Sequence, residues 1–130
     1  MKILVVDDDD FIRMMMVQAL KSEGYEVEES TDGADAIAKL GCNDYDIVVT
    51  DVVMPNQSGV SVGEFIKRNA LHTAVLAVSA FSTDEEGGVL DFANYFADDT
   101  LKKPFEKEVF LKAVKNISPG NDIESALQNL

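Results

Sequence analysis

Two kinds of hydrophobic pattern alternate along the whole chain. Short, nearly continuous apolar runs are typical of buried parallel strands, and they lie at 2–6, 47–50 and 74–78. An alternating run at 25–30 fits a half-exposed edge strand, and a further short strand is predicted at 100–102. Apolar residues at helical spacing follow the strands and predict helices at 11–22, 59–69, 83–96 and 107–117, and a further helix that begins at 32 or 33 and runs to 40. This alternation predicts an α/β fold with a parallel sheet that is covered by helices on both faces.

Glycine and proline mark the predicted boundaries. The first helix is expected to end at Gly24 and the second at Gly41, because glycine tolerates the left-handed backbone of many helix C-termini. Ser118-Pro119-Gly120 interrupts the last helix, after which apolar residues recur at helical spacing. We therefore divide the chain into one domain, 1–118, and a C-terminal tail, 119–130, with the pattern of a short helix. A frayed or back-packed helix is expected there; a dimer contact or a linker helix is the alternative.

Composition narrows the class of protein. The chain has 46% hydrophobic and 27% charged residues, as in ordinary globular domains. Its net charge of −13 would repel nucleic-acid phosphates, so direct nucleic-acid binding is not expected. No apolar run approaches the roughly 20 residues of a membrane span, and acids from Asp7 onward do not fit a signal peptide. The single Cys42 cannot form a disulfide within the chain. These features predict a cytoplasmic location without membrane association.

Polar residues follow the carboxyl ends of four predicted strands. They are Asp7 and Asp8, Asp51, Ser79 and Lys103, in chain order. Ligands of open α/β sheets bind in the crevice at this edge of the sheet. Three carboxylates, a hydroxyl and an ammonium gathered there would hold a hard divalent cation and the oxygens of a phosphoryl group. The pattern predicts phosphoryl transfer onto an aspartate, which is a competent nucleophile toward phosphorus.

The acids do not all have the same expected role. Asp8 and Asp51 are the natural direct ligands of Mg²⁺, and Asp7 would act directly or through a water molecule. Asp9 and Asp10 are expected in the first turn of the following helix, where negative charge is favoured.

Each of these residues also has a structural explanation. Asp7 and Asp8 could cap a helix, Asp51 could form a turn, and Ser79 could cap the next helix. Lys103 could be a surface lysine, with Lys102 an equal candidate for the site. The functional interpretation depends on all four strand ends having a suitable group in the same chain.

Four motifs together resemble the response-regulator receiver domain, the CheY-like phosphoacceptor module of two-component signalling. They are Val5-Val6-Asp7-Asp8-Asp9, Asp51-Val52-Val53-Met54-Pro55-Asn56-Gln57-Ser58-Gly59, Val78-Ser79-Ala80 and Lys103-Pro104-Phe105. The resemblance covers about 2–117. It implies a flavodoxin-like, doubly wound (βα)5 fold with a five-stranded parallel sheet in the order 2-1-3-4-5. It also implies a cis peptide bond between Lys103 and Pro104.

The resemblance assigns a role to each matching position. It makes Asp51 the phosphoacceptor, and Asp7 and Asp8 the acidic pair that binds Mg²⁺ or Mn²⁺. The backbone carbonyl of Val53 would be a further metal ligand. The residues implied in phosphoryl binding and switching are Ser79, Ala80 and Lys103.

The family also implies partners and an output. A sensor histidine kinase or a histidine phosphotransfer protein would supply the phosphoryl group. A downstream protein would bind the face formed by the fourth helix, the fifth strand and the fifth helix. Such a domain is a monomer or weak dimer, and at most it catalyses its own phosphorylation and slow dephosphorylation.

Three positions depart from the usual receiver pattern or bear on its rates. Receivers usually have an aromatic residue three positions before the lysine, whereas this chain has Thr100. Switching is therefore expected to depend on Ser79 and the segment that follows it. Val53 and Phe81 occupy the positions that flank the path of the hydrolytic water in receivers. Because both are apolar, slow self-dephosphorylation is expected.

Two other functions are alternatives. An aspartyl phosphatase of the haloacid-dehalogenase type uses Asp-x-Asp-x-Thr/Val after its first strand. Asp7-x-Asp9-x-Phe11 begins this motif but departs from it at Phe11, and 130 residues leave no usual cap domain. A degenerate receiver would bind partners without phosphorylation, but the intact acids, Ser79 and Lys103 argue against it.

Overall fold

The computed structural model describes residues 1–52, 59–69, 72–79 and 96–119. In this part of the chain a parallel five-stranded sheet has the order β2-β1-β3-β4-β5. Its strands are β1 (Lys2–Val6), β2 (Glu26–Ser30), β3 (Ile47–Asp51), β4 (Ala74–Ser79) and β5 (Asp99–Lys102). The described helices are α1 (Asp10–Ser22), α2 (Gly33–Cys42), α3 (Gly59–Arg68) and α4 (Lys107–Ile117). The predicted doubly wound α/β fold and its strand order are confirmed.

The central strands are buried on both faces, which explains their continuous apolar sequences. Val5, Val49 and Leu76 lie side by side across β1, β3 and β4. They belong to the core cluster beneath α1 and α4. The residues that point the other way pack against α2 and α3 in a second cluster. The two layers of helices cover both faces of the sheet, and they leave its carboxyl edge as the place where polar groups can gather.

Both ends of α1 are fixed by local hydrogen bonds. At its start the Asp9 carboxylate accepts hydrogen bonds from the backbone N–H groups of Phe11 and Ile12, at 2.9 and 3.1 Å. At its end Gly24 has a φ of 89°, and the N–H groups of Gly24 and Tyr25 return to the last turn of the helix. Only glycine adopts this backbone readily, so the predicted stop at Gly24 is confirmed. The expected role of Asp9 at the helix start is confirmed as well.

The predicted stop at Gly41 is wrong, because α2 continues through Gly41 to Cys42. The next residue, Asn43, supplies what the helix end requires. Its backbone N–H and its side-chain amide both donate to the carbonyl of Lys39, at 3.0 and 3.1 Å. With that carbonyl satisfied by Asn43, the helix ends without a left-handed residue.

The other predicted elements agree with the structure to within one or two residues at each end. The predicted helix at 83–96 lies outside the described residues except for Phe96, and so does the tail beyond residue 119. Among the described helices, none combines the length and the apolar character that a membrane crossing requires.

Gly63 of α3 provides a direct test of the packing on one face of the sheet. The ring of Phe96, which is buried, lies so close to Gly63 that a Cβ atom there would overlap it. We expect Gly63→Ala to lower the free energy of unfolding by about 1–3 kcal/mol, because the ring must move out of a packed position. Urea denaturation followed by circular dichroism measures this change.

Gly41→Ala is the matched control for that measurement. Gly41 is also helical, but beyond its chain neighbours and the backbone of its own helix, no heavy atom of the described residues lies within 4 Å of the position its Cβ would take. Alanine has the higher helix propensity, so this variant should be stabilised by about 0.5–1 kcal/mol. Equal effects of the two substitutions would contradict the proposed packing of Phe96.

Candidate functional site

Three carboxylates meet at the carboxyl edge of the sheet. Asp7 follows β1 directly, Asp8 is next to it, and Asp51 is the last residue of the neighbouring strand β3. One carboxylate oxygen of each residue lies within 4.8 Å of the other two. Asp7 is completely buried and Asp51 is 9% exposed, whereas Asp8 is exposed at the mouth of the cluster. The structure thus brings together the three acids that were predicted from the strand ends.

Both carboxylate oxygens and both backbone polar groups of Asp7 form hydrogen bonds. Its Oδ1 accepts from the N–H of Asp9 at 2.9 Å, and its Oδ2 accepts from Lys103 Nζ at 2.9 Å. Its own N–H donates to the carbonyl of Ser30, the last residue of β2, at 3.2 Å. Its carbonyl accepts from Arg13 Nη1 at 2.8 Å. The burial of a charged side chain is compensated by these partners.

Lys103 connects two of the acids. Its Nζ lies 2.9 Å from Asp7 Oδ2 and 2.9 Å from Asp51 Oδ2, and its side chain is 11% exposed. Burial alone would lower the pKa of Lys103, but the hydrogen bonds and charges of Asp7 and Asp51 outweigh it and raise the pKa. The lysine therefore remains an ammonium ion at neutral pH.

The backbone around Lys103 aims it at the site. Its N–H donates to the carbonyl of Ser79 at 2.8 Å, which ties it to the end of β4. The peptide bond to Pro104 is cis, as the family resemblance implied. Lys102, the equal candidate from the sequence, is exposed and is not the lysine that contacts the acids. The structure selects Lys103.

Ser79 lies at the same edge of the sheet. Asp51 pairs with Val78 in the register of β3 and β4, so Ser79 is one position beyond Asp51 on the adjacent strand. The whole residue is buried. Thr100 lies in β5 opposite Ala77 and is partly buried, so a small polar side chain occupies the position where receivers usually have an aromatic ring.

Three predicted site residues lie outside the described part of the structure. They are Val53, Ala80 and Phe81. The roles assigned to them from the family resemblance stay predictions.

Sequence reasoning missed Arg13. This residue of α1 is 13% exposed in its side chain and makes three polar contacts. Besides the carbonyl of Asp7, it binds Asp10 Oδ1 at 2.6 Å and Glu29 Oε1 at 2.9 Å. Arg13 belongs to α1, whereas the acids, the hydroxyl and the lysine predicted for the site all lie at the ends of strands. The available signal was a lone cation placed one helical turn after four adjacent acids, 7–10.

A comparison with protein families matches one model to most of the chain. The model describes the response regulator receiver domain and covers residues 3–115. A relative of similar size is the chemotaxis protein CheY of Bacillus subtilis, 32% identical over 114 residues, with 87% of this chain and 93% of that protein covered.

Other relatives are longer than this chain. The transcriptional regulatory protein TcrA of Mycobacterium tuberculosis is 35% identical over 119 residues, but the chain spans 46% of its length. The chain spans 21% of the transcription factor prr1 of Schizosaccharomyces pombe, at 31% identity over 114 residues. The similarity to these proteins therefore concerns one part of each.

Solved structures show the same fold. The response regulator TrrA of Thermotoga maritima, solved in complex with Mg²⁺ and BeF, has a TM-score of 0.79 and 29% identity, covering 89% of this chain and 97% of that one. Chemotaxis protein CheY4 of Vibrio cholerae has a TM-score of 0.79 and 30% identity, with the same coverage of 89% and 97%.

Proposed function

The chain belongs to the response-regulator receiver domain family, and on this basis we propose that Asp51 is its phosphoacceptor in two-component signalling. The observation that carries the proposal is the position of Lys103. Its ammonium lies 2.9 Å from oxygens of both Asp7 and Asp51, beside the exposed Asp8. A fixed cation next to a clustered set of acids is the arrangement that phosphoryl transfer to a carboxylate requires.

The acid cluster suits Mg²⁺ or Mn²⁺. Both ions are hard and prefer carboxylate, carbonyl and water oxygens. Asp8 and Asp51 would bind the ion directly. Both oxygens of Asp7 already accept hydrogen bonds from Asp9 and Lys103, which favours a contact through water for Asp7. The Val53 carbonyl is a further ligand by family resemblance. The bound ion would neutralise charge that otherwise repels an incoming phosphoryl group.

Side chains of the protein would carry out the transfer itself and bind the phosphoryl oxygens. An oxygen of Asp51 forms the new bond to phosphorus, while the bond from phosphorus to the donor nitrogen breaks. Lys103, which is shared between two carboxylates, can turn to a phosphoryl oxygen without leaving the site. The hydroxyl of Ser79, at the neighbouring strand end, would bind a second oxygen, and Ala80 would contribute next to it. These contacts position the group and stabilise its charge.

Receiver domains act in signalling and not in metabolic catalysis. We propose a histidine kinase or a histidine phosphotransfer protein as the donor, and a protein target that binds the face of the predicted helix 83–96, β5 and α4. We further propose that 1–118 is the receiver, that 119–130 is a tail, and that the domain works in the cytoplasm as a monomer or weak dimer. Phosphorylation would shift a two-state equilibrium of this face.

The structure weighs against the phosphatase alternative. That mechanism needs the second acid of Asp7-x-Asp9 to act in the site. Here Asp9 accepts hydrogen bonds from Phe11 and Ile12 and caps α1. Its carboxylate is therefore committed to the helix start.

Beryllofluoride binding tests the proposed function. Beryllofluoride mimics a phosphoryl group on a carboxylate, so we expect saturable binding that requires Mg²⁺ and that ¹⁹F NMR can measure. A degenerate receiver would show no binding. A phosphatase would instead turn over para-nitrophenyl phosphate and lose this activity in Asp7→Asn.

The lifetime of the phosphorylated state gives a further prediction. Because Val53 and Phe81 are apolar and Phe81 is bulky, water should be poorly oriented for attack, and self-dephosphorylation should be slow. Phe81→Ala should accelerate it, as followed by loss of radiolabelled phosphate. A half-life of seconds that this substitution leaves unchanged would contradict the proposed shielding.

A further inference from the structure

Arg13 joins three separate pieces of the molecule at the acid cluster. Its Nη1 donates to the carbonyl of Asp7 at 2.8 Å, its Nε to Glu29 at 2.9 Å and its Nη2 to Asp10 at 2.6 Å. These partners lie after β1, in β2 and at the start of α1. A planar guanidinium suits this task because its five N–H groups point in fixed directions.

Arg13 contacts the peptide group that joins Asp7 to Asp8, two of the clustered acids. The carbonyl of Asp7 belongs to the peptide bond that leads into Asp8, so its orientation sets the direction of the Asp8 N–Cα bond and thereby constrains where the Asp8 side chain leaves the backbone. No described residue donates a hydrogen bond to the exposed Asp8 carboxylate. The position of Asp8 therefore depends on its backbone, and the backbone depends on Arg13.

Strand β2 serves as the fixed support for this contact. The N–H of Asp7 donates to the carbonyl of Ser30, and Arg13, which holds the carbonyl of Asp7, is itself anchored by Glu29. Glu29 and Ser30 are adjacent residues of a strand that pairs with β1 in register. Strand β2 thus holds both polar groups of the Asp7 backbone: it binds the N–H directly and holds the carbonyl through Arg13.

We propose that Arg13 is a positioning residue for the metal-binding acids: it holds the Asp7–Asp8 peptide group so that Asp8 faces Asp51 before the ion arrives. The inference rests on the proposed function, since it concerns the affinity of that same cluster for Mg²⁺. It adds a residue of α1 to a site otherwise built from strand ends.

Charge and positioning predict opposite effects, which makes the inference testable. A cation near the cluster repels Mg²⁺, so removing its charge would by itself tighten Mg²⁺ binding. Loss of positioning would weaken it, because residues that orient metal ligands commonly account for about 10–100-fold in affinity. Arg13→Lys separates the two effects, since it keeps the charge and loses the fork of donors.

The experiment is a Mg²⁺ titration of the whole chain followed by ¹H–¹⁵N NMR, which reports affinity and folding in the same spectra. We expect Arg13→Lys to weaken Mg²⁺ binding by about tenfold. Arg13→Gln should weaken it less than Arg13→Lys does, because the lost charge offsets part of the lost positioning. Glu29→Gln, which loosens the anchor of Arg13 and keeps its contact with Asp7, should give a smaller loss. Amide shifts of residues 7–9 should change in all three variants before Mg²⁺ is added.

Lys21→Gln is the control, because it removes an exposed positive charge from the far end of the same helix. It should leave Mg²⁺ affinity nearly unchanged. Wild-type affinity in Arg13→Lys, or tighter binding in Arg13→Gln, overturns the positioning role while leaving the proposed function intact. Absence of saturable Mg²⁺ binding in the wild-type protein overturns both.

Discussion

Replacing Asp51 by asparagine should abolish both Mg²⁺-dependent beryllofluoride binding and phosphoryl uptake from acetyl phosphate. The amide has nearly the same shape as the carboxylate, but its oxygen is a far weaker nucleophile. The substitution also removes one of the three clustered carboxylates. Lys103 keeps its contact with Asp7, so the variant should remain folded. The signal lost is therefore that of the reaction and not that of the fold.

Asp44→Asn is the matched control for this experiment. It makes the same chemical change at an exposed acid. Asp44 lies before the start of β3, whereas Asp51 is the last residue of that strand. It should bind beryllofluoride and take up phosphoryl groups like the wild-type protein. Substantial phosphorylation of Asp51→Asn would show that another side chain is the acceptor.

Lys103→Met should have the second largest effect. It should change three quantities: the free energy of unfolding, the Mg²⁺ affinity and the phosphoryl uptake. Without Mg²⁺, Asp7 and Asp51 lose the positive charge that they share. The site is largely buried, since the lysine side chain is 11% exposed. Removal of one partner from a buried ion pair is strongly destabilising, so we expect a loss of about 3 kcal/mol in the free energy of unfolding. Mg²⁺ affinity should rise, because the ion no longer competes with an ammonium for Asp51. Phosphoryl uptake should fall, because a stabilising cation is missing.

The changes in stability and in Mg²⁺ binding can be measured together. Urea denaturation with and without Mg²⁺ gives the stability, and Mg²⁺ should restore more stability to Lys103→Met than to the wild-type protein, as ligand linkage requires. Lys102→Met removes the adjacent, exposed lysine and should change none of the three quantities appreciably. If Lys103→Met were as stable as the wild-type protein without Mg²⁺, the ion pairs of Lys103 would not have the role assigned to them.

The fold followed from the sequence because each element has a local cause. Continuous apolar runs specify strands that are buried on both faces, and α4 was predicted with its observed bounds, Lys107–Ile117. Helix ends were less certain because several chemistries can terminate a helix. Gly24 ends α1 in the left-handed region, whereas α2 passes through Gly41 and uses Asn43 instead.

The site followed from the sequence as far as strand ends determine it. Parallel strands bring their carboxyl ends to one edge, so Asp7, Asp8 and Asp51 had to be neighbours once the strands were correct. The choice between Lys102 and Lys103 could not be made from the residues alone, because successive side chains of a strand point to opposite faces and the boundary is uncertain by a residue. Arg13 was missed because its partners come from different elements.

Locating the phosphoryl group on the chain tests most directly whether Asp51 is the phosphoacceptor. The protein should be incubated with acetyl phosphate and Mg²⁺, the acyl phosphate reduced with borohydride, and the modified residue located by peptide mass spectrometry. The proposed role of Asp51 predicts a single modified residue, at position 51, and no modification when the metal is chelated. Modification at any other residue, or uptake that does not depend on the metal, would contradict it.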